Sequence, residues 1–323
     1  VLFQAHVPSF GYAIYGIQQG KTTAGDVLSY RQEKGKYVLE SDLYRLVIDP
    51  QKGGVIESLI AKKLNNKEYV DATSPWYFNE LKGYFGEQEK FISSADQPAR
   101  VRVVEHGPLL LHVAIDGFIG EHPFTQTIRL KQKEEKIDMG IFIDWQRNTA
   151  IGETGIPFSA ENPRKAFYDD RYKLLVCFPA AINDQQIYKN APFDVCKSQL
   201  ENTYFNRWDQ IKHTIVLNWV DLGSNSHDNS LALFTDHTTS YVHGSDHPLA
   251  LTLQYSGKGL WGRDYTITGP TDISYSLMPH AGQWYNDRIW TKGELANEPL
   301  VTTLIDAGAN EVLQQSYFSV EDN

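Results

Sequence analysis

Apolar and polar residues alternate with a period of two along most of this chain, and that rhythm constrains the fold more than any other feature. Successive side chains of a strand point to opposite faces, so alternation marks a strand with one face toward a core. Leu43-Tyr44-Arg45-Leu46-Val47-Ile48-Asp49 alternates and stops at Pro50-Gln51-Lys52-Gly53-Gly54. The pattern resumes in Val55-Ile56-Glu57-Ser58-Leu59-Ile60, which together makes a β-hairpin. Residues 99–105, 109–118, 124–130, 137–144, 172–178, 211–217, 231–236, 249–254 and 273–277 read as further strands. Their number and spacing predict an all-β chain of stacked antiparallel sheets. Within residues 198–212, Leu200, Tyr204, Trp208 and Ile211 recur at near-helical spacing and mark the best helix candidate. The opening Val1-Leu2-Phe3-Gln4 has the form of a protease-tag remnant but runs on into Ala5-His6, and it is read as native strand.

The polar stretch 20–36 is the one candidate boundary. It divides residues 1–31, the end of a small β segment with its linker, from a large β domain over 32–323. Lys+Arg 30 against Asp+Glu 40 leaves a net charge of -10 without any basic run, which argues against nucleic-acid and anionic-membrane partners. No apolar stretch approaches the ~20 residues of a membrane-spanning helix. Cys177 and Cys196 fit neither a zinc knuckle nor a disulfide framework and read as separate buried thiols. Residues 145–168 hold Gly152, Gly155, Pro157 and Pro163 with little alternation. A long loop of this kind belongs on the rim of a binding face.

Aromatic content stands out, with Tyr 18, Phe 15 and Trp 7. Such side chains fill β cores and also stack on sugar rings. Trp261-Gly262-Arg263-Asp264-Tyr265, behind Gly257-Lys258-Gly259-Leu260, gathers two aromatics, a guanidinium and a carboxylate on a glycine-rich loop. Aromatic faces pack on the C–H groups of a sugar while Arg and Asp hydrogen-bond its hydroxyls, so Trp261, Arg263, Asp264 and Tyr265 are the candidate substrate-binding residues. A tight turn with an internal Arg–Asp pair is the competing reading. Glycoside hydrolysis needs two carboxyl groups across the scissile bond. Asp169-Asp170, Asp144, Asp209 and Asp264 each read as readily as turn, cap or surface ion-pair residues, so no catalytic residue is assigned. Asp236, His237, His243, Asp246 and His247 form the densest patch of potential metal ligands. On a strand, however, His243 and His247 lie well separated along the chain, and no metal ligand is assigned. Nucleophile-elbow, P-loop and dinucleotide-binding patterns are absent.

Several strings, in order, resemble the C-terminal β region of family 38 glycoside hydrolases, the α-mannosidase type. They are Leu39-Glu40-Ser41-Asp42-Leu43-Tyr44 with Asp49 and Gly53-Gly54; Phe78-Asn79-Glu80-Leu81, similar to an Asn-centred sugar-side segment; Ile143-Asp144-Trp145; Tyr172 through Phe178-Pro179; and Leu277-Met278-Pro279-His280 with Trp284. The resemblance implies a mutarotase-like supersandwich within a retaining, exo-acting, zinc-using α-mannosidase. The family's zinc ligands and aspartate nucleophile belong to an N-terminal α/β domain joined through a helical bundle, neither of which is seen in this sequence. The expectation is therefore a non-catalytic β half, inactive alone, whose partners are an α-mannoside and that absent catalytic domain. No cofactor is expected in this chain, and zinc is implied for the full-length enzyme. Gln254-Tyr255-Ser256-Gly257 departs from the family's Arg-Ser-Pro type string, and both ends of the chain look like cuts. Two alternatives stand beside it. One is a free-standing carbohydrate-binding module using the same aromatics. The other is a mutarotase-like sugar epimerase with His280 as general acid and Asp264 as base.

Overall fold

The computed structural model describes residues 2–17, 27–152, 170–198, 214–226, 228–244, 246–258, 264–298, 300–305 and 312–318. Among the described residues, the alternating segments pair into antiparallel sheets of nine, six and five strands and two short two-stranded ribbons. The nine-stranded sheet runs in space from Asp194–Ser198 through Gln185–Ala191, Trp219–Ser224, Ser230–Thr235, Thr271–His280, Ile137–Ile143, His122–Lys131 and Leu110–Ile119 to Arg100–His106. The six-stranded sheet orders Ile215–Val216, Thr239–Gly244, His247–Gln254, Leu174–Phe178, Glu80–Phe85 and Lys90–Ser93. The five-stranded sheet orders Ser29–Glu33, Lys36–Glu40, Tyr44–Asp49, Val55–Ala61 and Lys67–Glu68. These are the stacked antiparallel sheets that the alternation predicts, in the all-β supersandwich that the resemblance implies.

Each sheet turns its apolar face inward. In His122–Lys131, Phe124, Gln126, Ile128 and Leu130 are buried, while Thr125, Thr127 and Arg129 lie on the more exposed face. One apolar cluster draws on all three large sheets, with Leu46 and Leu59 from one, Val176 and Phe178 from the second, and Ile128 and Leu277 from the third. A fully buried Leu, Ile or Phe contributes about 1.5–3 kcal/mol. An exposed ion pair contributes about 0–1 kcal/mol, so the interlayer core is what holds the sheets together. The predicted hairpin is formed, and Gly53 and Gly54 take up the positive φ (66° and 78°) of its turn.

Trp219–Ser224 and Ser230–Thr235 are buried on both faces, as strands are when a second layer covers them. The covering element is the helix Ile289–Asn297, whose Ile289 joins Trp219, Ala232, Phe234 and Met278 in a separate apolar cluster on the outer side of the nine-stranded sheet. The sequence reading misses this helix. Its N-cap, Arg288, offers no side-chain hydrogen bond and a glycine sits inside it, so the usual start and continuation signals are missing. The helix expected within 198–212 lies in residues outside those described, apart from Ser198, which ends a strand. The opening segment is corrected too. Residues 2–8 form no strand, and the first is Gly11–Ala13, paired with Gln314–Ser316. Alternation alone does not make a strand where no neighbour supplies a ladder.

Gly293 is buried against the indole of Trp219, where an added Cβ would stand 2.8 Å from Cδ1. In an exposed helix, Gly→Ala stabilises by roughly 0.5–1 kcal/mol. Here Gly293→Ala is expected to destabilise by about 1–3 kcal/mol through overpacking, read as a lower midpoint in urea or thermal unfolding.

Candidate functional site

One end of the six-stranded sheet is tied to the loop that follows Ile137–Ile143 through a three-way junction. Ile151 bridges Phe85 on one side and Ser256 on the other. The Gly86 amide donates to the Ala150 carbonyl at 2.9 Å, and the Gly152 amide donates to the Tyr84 carbonyl at 2.7 Å. Ser256 is fully buried. Its hydroxyl accepts from the Ile151 amide at 3.0 Å and donates to the Thr149 carbonyl, so a single side chain locks two loops together. This serine belongs to the string that departs from the family pattern, and its role is architectural.

The junction carries a run of aromatic side chains. Tyr84, Phe91 and Tyr172 pack mutually with ring centroids 5.3–5.4 Å apart. Gly152 lies between this trio and Tyr255. A Cβ there would approach the Tyr255 ring at 3.0 Å and the Tyr172 carbonyl at 3.4 Å, so the absent side chain is what allows the two groups to close up. Tyr255 contacts Tyr265 at 5.5 Å, and the Lys173 ammonium lies 5.6 Å from the Tyr255 ring centre. Partial burial and the nearby charge of Glu89 hold the Tyr84 phenol above its ordinary pKa. Phe91 and Tyr265 remain 42% and 40% exposed along this aromatic rim.

Of the candidate binding residues, Asp264 and Tyr265 form the short ribbon with Gly257–Lys258 and stand exposed at the end of this rim. Trp261 and Arg263 lie outside the described residues. The Ile267 amide, just beyond the ribbon, donates to Asn148 at 2.9 Å and ties it back to the same junction. The long loop expected at a rim begins here through Thr149–Gly152, and its remainder, 153–168, lies outside the described residues. Asp144 accepts from Gln146 at 3.2 Å. Asp170 is buried and held by Lys173 and by Thr214 at 3.1 Å, while Asp169 and Asp209 fall outside the described residues. Asn79, in the string likened to a sugar-side segment, is buried between the sheets. Its side-chain oxygen accepts from Tyr275 and its backbone carbonyl from Gln126 at 3.0 Å.

Two histidine readings are corrected. The pair His280 and Asp264 is not formed, because His280 faces Asp221, with Nε2 2.9 Å from Oδ1, and Asp287 at 3.9 Å. Ladder register decides this. His280 pairs with Ser230, whose strand neighbours the one that carries Asp221, while Asp264 sits on a separate ribbon. Burial opposes charging of His280, but the Asp221 hydrogen bond, the Asp221 charge, the Ala281 carbonyl and the Asp287 charge together raise its pKa. His243 and His247 are not spread along one strand either. The chain reverses between them and Gly244 pairs with His247. His243 Nε2 meets Gln185 at 2.7 Å, and burial followed by the proximity of His247 pushes its pKa down to about 4. His247 instead packs on Trp76 at 4.4 Å, and Asp246 pairs with Arg171 at 3.3 Å. Among the described residues, no group of three or more His, Cys, Asp or Glu is placed to hold a metal ion.

Stacked antiparallel sheets with an aromatic rim at one junction define a large β-supersandwich domain. Residues 39–256 match the glycosyl hydrolases family 38 C-terminal domain, and the chain belongs to that family. Two solved structures share the fold. An α-mannosidase from Enterococcus faecalis V583 has a TM-score of 0.60 at 12% identity, covering 87% of this chain and 33% of its own. A glycosyl hydrolase family 38 protein from Enterococcus faecalis has a TM-score of 0.65 at 13% identity, covering 93% and 36%. The chain thus spans about a third of the length of each. No curated protein sequence matches it.

His280→Ala strands the Asp221 carboxylate in a site 1% exposed and is expected to cost about 3–5 kcal/mol, measured by urea unfolding. Adding Asp221→Asn is expected to recover part of that loss. The two histidines also oppose each other in pH. The contribution of His280 is present below its unfolded pKa of 6.5 and is lost as pH rises through its raised folded value. His243, depressed from 6.5 to about 4, leaves stability intact above 6.5 and removes it as pH falls toward 4, by about 3 kcal/mol in all. His243→Gln is expected to flatten that acid limb in unfolding midpoints taken between those two pH values.

Proposed function

We propose that this chain is the non-catalytic β portion of a retaining, zinc-dependent α-mannosidase, supporting and completing the sugar cleft of an N-terminal catalytic domain. The observation that carries the reading is the pattern of coverage, in which nearly the whole of this chain corresponds to about a third of an α-mannosidase. The aromatic rim supplies the chemistry of a sugar-facing edge. The exposed part of Phe91 offers a flat apolar surface to the C–H side of a pyranose, and at the other end of the rim Asp264, next to Tyr265, accepts from its hydroxyls. The rim is rigid because Ser256 and Gly152 lock its loops, so little ordering entropy is lost when a sugar docks.

The described residues do not fit a zinc ion, and in this reading the metal and the nucleophilic carboxylate belong to the catalytic domain. Zinc there would orient the sugar and polarise its oxygens. The part of this chain is to hold the ring against the rim and exclude water from one side of the cleft.

The test is hydrolysis of an aryl α-mannoside by this chain, with and without zinc, beside the longer gene product. Activity in the longer protein alone is the expected outcome, and zinc-dependent turnover by the chain itself would overturn the reading. In the longer protein, Tyr265→Ala is expected to lower kcat/KM about tenfold, ~1.4 kcal/mol of lost transition-state binding.

A further inference from the structure

The helix Ile289–Asn297 covers only part of the outer face of the nine-stranded sheet, and where it ends a cavity of about 270 Å³ with mixed polar and apolar walls opens between helix and sheet. Arg129, Asp138, Asp236, Ser274 and Ser276 line it, and Ala296 of the helix forms one wall. The ladder explains why these residues meet. Arg129 pairs with Asp138 and Asp138 pairs with Ser276, so three neighbouring strands present them side by side on one face. One step along, the ladder places Thr127 and Ser274 on either side of Gly140, and that short row keeps the floor low.

The hydrogen-bonding state of the lining is uneven. Asp138 is held in place, one carboxylate oxygen accepting from Lys131 at 2.6 Å and the other from Ser276 at 2.8 Å. Asp236 accepts from the His237 ring at 2.6 Å. Arg129, half-buried, forms no hydrogen bond or ion pair with another described residue, so its donors are left to the cavity. The occupant must accept from a guanidinium and donate to carboxylates in the same small space. An anion meets two carboxylates there and a cation meets Arg129, whereas a hydroxyl both donates and accepts. Phe142, 42% exposed and two residues along the strand from Gly140, shares the face and offers an apolar plane beside the polar row.

We propose that this cavity is a binding site for a neutral polyhydroxylated ligand, a single pyranose ring, separate from the aromatic rim. Its volume lies just below the range of ligand pockets, about 300 Å³ and upward, and so suits one ring and not an oligosaccharide. Arg129 donates to ring hydroxyls, Asp138 and Asp236 accept from them, and Ser274 does either.

The experiment is a titration of this chain with methyl α-mannoside, methyl α-glucoside and inorganic phosphate, followed by amide chemical shifts. Saturable shifts with the glycosides at residues 129, 138, 140, 274 and 276 are expected. Ser274→Trp, at an exposed position that fills the cavity without touching the core, is expected to weaken the effect at least about tenfold, and Arg129→Ala to weaken it as well. Absence of saturable shifts at these amides, or shifts undiminished in both variants, overturns the proposal. Equal or stronger response to phosphate overturns the neutral-ligand assignment. Shifts confined to residues 84, 91, 172, 255 and 265 would place the sugar on the rim alone, which keeps the two readings distinguishable.

Discussion

The pairing of Thr271–His280 with Ile137–Ile143 on one side and Ser230–Thr235 on the other joins the earlier and later strands of the chain into one nine-stranded sheet. Every other layer depends on that ladder. Its inner face supplies Tyr275 and Leu277 to the shared core, and its outer face supplies Met278 to the patch beneath the helix. The same strand ends in His280, whose pairing with Asp221 ties it to Trp219–Ser224 across the intervening strand. Pairings this distant in sequence incur loop-closure entropy before they return any burial, so the sheet is stable only as a whole.

Polar groups inside this core act as position markers. Asn79 takes a left-handed backbone conformation (φ 67°) and receives the Tyr275 hydroxyl, which links the six- and nine-stranded layers at one point. Gln126, two strands along in the nine-stranded sheet, reaches the Asn79 carbonyl as well. An apolar core admits small sliding of one sheet over another, whereas a hydrogen bond between buried polar groups is satisfied in one register only. The rim and the cavity inherit that precision, because each is built from residues whose strands are held in these layers.

Three faces of the molecule have different chemistry for one reason, the extent to which each is covered. Where the helix lies over the nine-stranded sheet, the outer residues are Trp, Phe and Met. Where it stops, they are Arg, Asp and Ser, and a cavity remains. At the junction of Phe85, Ile151 and Ser256, aromatic rings pack against one another, with Phe91 and Tyr265 partly exposed. Covered surface selects apolar side chains, and surface left uncovered retains hydrogen-bonding groups and partly exposed rings.

The fold class, the hairpin around Gly53 and Gly54, and most strands of the nine-stranded sheet were legible in the sequence, because a strand with one dry face writes its period into the residues. Strands such as Trp219–Ser224, buried on both faces, and Gln185–Ala191, rich in amides, carry no such period and were passed over. Asp264 and Tyr265 could be singled out as candidates because they adjoin in sequence, but the other aromatic residues of the rim, Tyr84, Phe91, Tyr172 and Tyr255, are scattered over some 170 residues and meet only through β-bridges. His280 could be singled out from the sequence, but not its partner 59 residues away, since ladder register, not proximity in sequence, brought Asp221 to it. By itself the sequence determined that this protein is made of half-buried strands, since periodicity is a local property of side-chain order. Only the tertiary structure decided which chemistry-bearing residues share a face, since that follows from long-range strand pairing, which no local pattern encodes.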